Sequence, residues 1–192
     1  MGRGTRLNLL VWGSALLLAA GVFAACGGGS SHPRAAAPTA PPTTEVPDVV
    51  VTAKSFKNVN LMTRVGNHFV DSLNGHLAET LAVARKGTGQ YPIGSVVQIA
   101  PQEAMVKHRE SFSPATNGSE FFSLAISAQG TKILDRGGEQ VLNFFHQSCA
   151  NCHEAAAPQY DFICGHTHGC APLPVGDAFF AALQRADPRP RH

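Results

Sequence analysis

Five consecutive residues constrain this chain more than any others: Cys149-Ala150-Asn151-Cys152-His153. The pattern C-x-x-C-H is the attachment site of c-type haem. In that chemistry two thiols add across the haem vinyl groups, and the next residue supplies an axial nitrogen to the iron. The spacing has a physical basis. Three residues are just under one helical turn, so both sulfurs face the same porphyrin edge and His153 projects toward the metal.

The same residues admit a second reading. C-x-x-C also occurs in zinc sites and redox motifs. Cys149, Cys152, Cys164 and Cys170, with His153, His166 and His168 nearby, form a candidate zinc ligand set. One covalent haem c per chain is the expectation, with zinc as the alternative.

The start of the chain bears on the choice. Arg3 and Arg6 precede an apolar run from Leu7 to Ala25 that ends in small residues. Residues 1–25 therefore read as an export signal rather than a core helix. The other reading is a retained membrane span, since the run is nearly long enough to cross a bilayer. Phe23-Ala24-Ala25-Cys26, followed by glycines and serines, resembles a bacterial lipobox, with Phe23 where Leu is usual. The resemblance implies a diacylglyceryl anchor on Cys26 and a place in the bacterial cell envelope. No other stretch is long and apolar enough to span a membrane.

Charge adds little. Taking Arg3 and Arg6 from the 15 Lys and Arg leaves 13, equal to the 13 Asp and Glu. The excess of basic residues thus belongs to the leader and gives no argument for nucleic-acid binding. With Cys26 assigned to lipid and Cys149 and Cys152 to haem, Cys164 and Cys170 remain as an even pair. A disulfide between them is expected in an exported protein. It would close the small loop Gly165-His166-Thr167-His168-Gly169, where two glycines ease a tight turn.

Residues 26–48 are mostly Gly, Ser, Ala, Thr and Pro, and read as a flexible, lipid-anchored linker. About 20 such residues span on the order of 25 Å as a coil. A single domain is expected over 49–186, followed by a short Pro/Arg tail, 187–192. Within it Val49-Val50-Val51 reads as a strand, and Asn58 to Asp71 carries apolar residues at roughly helical spacing. A helix capped by Ser72 or Asn74 runs to Arg85 and stops at Lys86-Gly87. Ser95 to Ala100 and Glu120 to Ser127 read as strands, with Thr131 to Leu134 pairing back across a Gln129-Gly130 turn. Glu139 to Ser148 reads as a helix delivering the haem motif. Asn117-Gly118-Ser119 matches a glycosylation acceptor, a chance match in a chain with a bacterial-type lipobox.

The order of these elements resembles the cytochrome P460 family, which includes the β-sheet cytochromes c′. The matching residues are Tyr91-Pro92-Ile93-Gly94-Ser95, Glu120-Phe121-Phe122, Cys149 to His153, and Tyr160-Asp161-Phe162-Ile163. The resemblance covers about Phe56 to Val175. It implies an α+β fold: a mostly antiparallel sheet with a few helices, haem packed on one sheet face, and a homodimer. Family members that oxidise hydroxylamine carry a lysine cross-linked to the haem on the strand after the Gly-Thr turn. Aligning on Gly94-Ser95 puts Ile99 there, and a one-residue slip gives Gln98 on the opposite strand face. Lys107 lies too far along. Hydroxylamine oxidation of that type is therefore not expected. The Cys164–Cys170 loop lies outside the common family core.

His153 is the proximal ligand in this reading, and the other side of the iron is open to two outcomes. Capping by Ile99 and by phenylalanines such as Phe112, Phe121 or Phe122 would give a five-coordinate iron. An apolar cap admits small neutral gases such as nitric oxide and disfavours anions. Ligation by Met105, His108, His166 or His168 would give a six-coordinate electron carrier with a redox partner protein. Each of these four has a plainer reading: core filler for Met105, a solvated side chain for His108, and loop residues for His166 and His168. A zinc- or disulfide-stabilised lipoprotein is the reading from a different class.

Overall fold

Successive side chains of a strand point to opposite faces, so consecutive apolar residues bury both faces of a sheet at once, and the central strands here do so. The structure, a computed structural model, describes residues 47–191. The export signal, the lipidation site Cys26 and nearly all of the linker fall outside the described residues. Six strands form one antiparallel sheet in which each strand pairs with its neighbour in sequence. They are β1 (Thr63–Val65), β2 (His68–Ser72), β3 (Ser95–Gln98), β4 (Glu103–Lys107), β5 (Ser119–Ser127) and β6 (Gly130–Gly137). Three helices accompany them: α1 (Leu77–Lys86), α2 (Cys149–His153) and α3 (Asp177–Arg185). This is the expected α+β class with a mostly antiparallel sheet. Among the described residues no helix is long and apolar enough to cross a membrane.

The two sheet faces build two cores. One holds Phe69, Val96, Ala104, Val106, Phe122 and Leu124, covered by Val51, Phe56, Val59 and Met62. The other holds Val70, Met105 and Phe121, with Cys149, Ala150 and Ile163 over them. Register explains the second. Val70 pairs with Val97, Val97 with Met105, and Met105 with Phe121, so one apolar row crosses four strands.

Several expected elements stand. Helix α1 and its stop at Gly87, in the left-handed region, stand, but the cap is His76 rather than Ser72 or Asn74: the helix begins at Leu77, and Ser72 Oγ accepts the His76 N–H. The β5–β6 hairpin turns where expected. Gly94 closes the Tyr91 turn at φ 87°, and a Cβ there would lie 2.7 Å from Asn74 Oδ1.

Other expectations are corrected. Val49 to Val51 form no strand, and Asn58 to Asp71 form a 3-10 turn followed by the β1–β2 hairpin, not a helix. Glu139 to Ser148 also form no helix; Leu142 bridges Ser148, and His146 adopts φ 57°. Asn143 accounts for this: its side-chain oxygen accepts the N–H groups of Phe145 and Gln147 and competes with helical bonding. The domain also reaches past both ends assigned to it. Asp48 bonds His108, and the segment expected as a tail is docked. Asp187 and Arg189 are 6 % and 3 % exposed.

That docked segment clamps the first core. Asp187 Oδ2 accepts the Val59 N–H and Arg189 Nη2, and Arg189 Nη1 donates to Phe56 O. Burial alone would raise the Asp187 pKa, but the Arg189 and Val59 hydrogen bonds bring it below the usual carboxylate range. Glu120 behaves alike: burial is outweighed by hydrogen bonds from His108 and Arg136. A depressed folded pKa favours the native state at neutral pH, and that contribution is lost on acidification. Stability from both groups is complete above about pH 5 and falls below about pH 4. Urea midpoints at pH 7, 5 and 3 should show this fall, with a shallower acid limb in Asp187→Asn. Asp187→Ala, which leaves a buried guanidinium unpaired, should cost about 3–5 kcal/mol at neutral pH.

Candidate functional site

A cleft of about 330 Å³ opens beside the second core. Its floor is the apolar row of the sheet: Val97, Met105 and Phe121, with Ile99 just beyond β3. Helix α2 brings Cys149, Cys152 and His153 to its side. Ile163, the Cys164–Cys170 loop, Leu173, Val175 and Phe180 of α3 complete the wall. An adjoining hollow of about 500 Å³, lined by Arg64, Asn67, His166, Asp177 and Gln184 among others, holds no thiol.

Helix α2 owes its start to Ser148, whose hydroxyl accepts the Asn151 N–H. Cys149 and Cys152 are free thiols, the first buried and the second half-buried. Burial, with Glu103 and Cys152 adding to it, pushes the Cys149 thiol up to about 12, and burial also raises Cys152. Disulfide exchange is favoured by a lowered thiol pKa, and both thiols here are shifted the other way. Neutral sulfur, as in a thioether, suits the setting better than a pair of thiolates.

His153 is held in one orientation. Its Nδ1 donates to the Phe162 carbonyl, and its ring packs on Phe121 with centroids 4.9 Å apart. Burial keeps its pKa below the usual imidazole value despite that hydrogen bond. A neutral imidazole with Nδ1 bonded to a backbone carbonyl is the arrangement that frees Nε2 for a metal.

The acceptor is itself fixed. Asp161 and Phe162 both adopt left-handed backbone, at φ 47° and 64°. Such conformations cost about 1–3 kcal/mol each in non-glycine residues unless the surroundings enforce them. Here Asp161 Oδ1 accepts Lys107 Nζ at 2.7 Å and Asn117 Nδ2 at 2.6 Å, while Oδ2 accepts the Tyr91 N–H at 2.7 Å. The four residues are buried or half-buried and come from β4, the 113–118 loop, the Tyr91 turn and the segment after α2. Asn117 is thereby committed to this network.

The other expected site residues divide. Cys164 and Cys170 are disulfide-bonded, and Gly169 turns at φ 104° as the small loop requires. Ile99 lines the cleft, and Gln184 Nε2 holds its carbonyl at 2.8 Å. Gln98 points to the opposite face and bonds Pro101 O and Glu103 O. Met105 is both core and cleft floor. His166 reaches the rim with its side chain 83 % exposed, 3.6 Å from Asp177. His168 stacks on Tyr160 and bonds Ile163 O, away from the cleft.

Three candidates are corrected. His108, expected in solvent and weighed as an iron ligand, is 2 % exposed, with its ring nitrogens facing Asp48 and Glu120. Phe112 is 45 % exposed and stacks on His108, and Phe122 belongs to the opposite core. Neither caps the cleft. The four-cysteine zinc set is also broken, because two of its sulfurs are bonded to each other. Among the described residues no group of three or more His, Cys, Asp or Glu is arranged to hold a metal ion.

Two cleft residues were not legible beforehand. Glu103, whose pKa is raised by burial, receives the Phe144 N–H. His68 lines the cleft from β2. The alternation His68, Val70 would have placed it beside the apolar row, but helical spacing was read across that stretch instead.

No family model, curated protein or solved structure matches the chain.

Because the Cys164–Cys170 bridge shapes one wall, its removal should be measurable. Closing a seven-residue loop restricts the unfolded chain by about 2 kcal/mol. The double variant Cys164→Ser/Cys170→Ser should lose about that much in urea unfolding. An unchanged midpoint would mean that the His168–Ile163 and Ala157–His168 hydrogen bonds hold the loop alone.

Proposed function

We propose that this protein is a mono-haem c-type cytochrome of the bacterial cell envelope. Cys149 and Cys152 would hold the haem through thioethers, and His153 Nε2 would bind its iron. The observation that carries the reading is His153: within a C-x-x-C-H motif, its Nδ1 is committed to Phe162 O beside two free thiols and an apolar cleft. These residues fit the group. The Val97–Met105–Phe121 side of the sheet would receive the haem, as the resemblance to the cytochrome P460 family implies. Anchorage through lipid on Cys26, a tether over 26–48 and pairing into a homodimer belong to the same proposal.

Bound haem supplies a one-electron couple and an iron able to take a small neutral ligand. The chain's own residues set the terms. Val97, Ile99, Met105, Phe121, Ile163 and Phe180 give the cleft an apolar stretch that stabilises no anion, which favours a gas such as nitric oxide over charged ligands there. Phe162 fixes the tautomer of His153 and makes it a better donor. No lysine lines the cleft among the described residues. Lys107 is committed to Asp161 and Asn117 O, so the function proposed is ligand binding or electron transfer, not P460-type hydroxylamine oxidation.

The test is to express the full chain in a host that attaches haem c. Mass spectrometry and the spectrum of the denatured protein should show one haem per chain that resists acid–organic extraction. Cys149→Ala and Cys152→Ala should each remove one thioether. A chain that carries zinc and no covalent porphyrin would discard the proposal.

A further inference from the structure

His68 occupies a position that the reading above does not use. Register places it on the cleft side of β2, two residues from Val70 of the apolar row. Its Nε2 is buried and has no hydrogen-bond partner. Buried polar atoms are almost always paired, so an unpaired one facing a cleft calls for a partner there. The cleft it faces is the one that holds His153.

The two imidazoles approach that cleft from opposite edges of its floor. His153 rests on Phe121 of β5, and His68 stands on β2. Three strand spacings separate β2 from β5, on the order of 14 Å. Val97 and Met105 fill the floor between them. The competing donors are otherwise engaged or exposed: Glu103 receives a backbone N–H, and His166 lies in solvent beside Asp177. Met105 packs in the apolar row, where a thioether needs no partner.

We propose that Nε2 of His68 is the second axial ligand of the haem iron. The assignment rests on the cytochrome reading and deepens it. A bis-histidine iron is an electron-transfer centre at rest. A gas then binds only by displacing His68, so its apparent affinity falls by the fraction of time the imidazole is bound.

Spectra of the haem-loaded full chain test this. The wild type should be low-spin in both oxidation states. Pulsed EPR of the ferric protein labelled with ¹⁵N-histidine should count two coordinated imidazoles. His68→Leu should turn high-spin and bind carbon monoxide about tenfold more tightly or more. Added imidazole should restore the low-spin spectrum in His68→Ala, and Met105→Leu should leave it unchanged. A high-spin wild type, a single coordinated imidazole, or a His68→Leu spectrum identical to wild type would overturn the assignment while leaving the cytochrome intact. If His68→Leu does not fold, a wild-type count of one still overturns the assignment, and with a count of two the loss and imidazole rescue of the low-spin spectrum in His68→Ala decide which histidine it is. A chain without covalent haem overturns both, and the denatured spectrum reads that separately.

Discussion

The carboxylate of Asp161 is the interaction on which the rest depends. It takes hydrogen bonds from three elements distant in sequence, and one of them is a buried ammonium, Lys107. Removing one member of such a set leaves the other charge stranded, which is far costlier than never having the pair. The anchor also transmits position. The next residue offers its carbonyl to His153, so the side chain that faces the cleft is aligned by a salt bridge it never touches. The left-handed backbone at Asp161 and Phe162 is tolerated because both ends of the dipeptide are held: one by the carboxylate, the other by the imidazole.

The second constraint is the sheet's division of labour. Successive residues of β3, β4 and β5 serve different cores, so Val96 and Val97, or Phe121 and Phe122, lie adjacent in sequence yet on opposite sides of the sheet. This settles the ambiguity between Gln98 and Ile99. A side chain one residue out of phase enters a different environment altogether.

Much of this was legible in the sequence, and the failures share a cause. The α1 stop and the β5–β6 hairpin follow from local signals, a stop glycine and alternation; the Cys164–Cys170 pairing came from counting the cysteines left over, and Ile99 from aligning the Gly94-Ser95 turn with the family it resembles. His108 misled because its charged neighbours in sequence hid partners 12 and 60 residues away. Arg189 misled in the same way, since a Pro/Arg terminus looks solvated until Asp187 and Phe56 O are seen around it. Asn143 broke an apparently apolar helix through side-chain hydrogen bonds that periodicity ignores. His68 was lost when a two-residue repeat was read as a helical one. In each case tertiary partners decided what composition could not.

The sequential strand order carries a consequence for the order of assembly. Every strand pairs with the one before it, so the sheet is complete in sequence at Gly137, twelve residues before Cys149. Such short-range pairing is the kind that forms early. The walls of the cleft come last in sequence: α2, the disulfide loop and α3, followed by the Asp187–Arg189 clamp on the first core. In the finished domain Cys149 is 8 % exposed. A group adding to that sulfur would meet a more open cleft before the disulfide loop and α3 pack beside it.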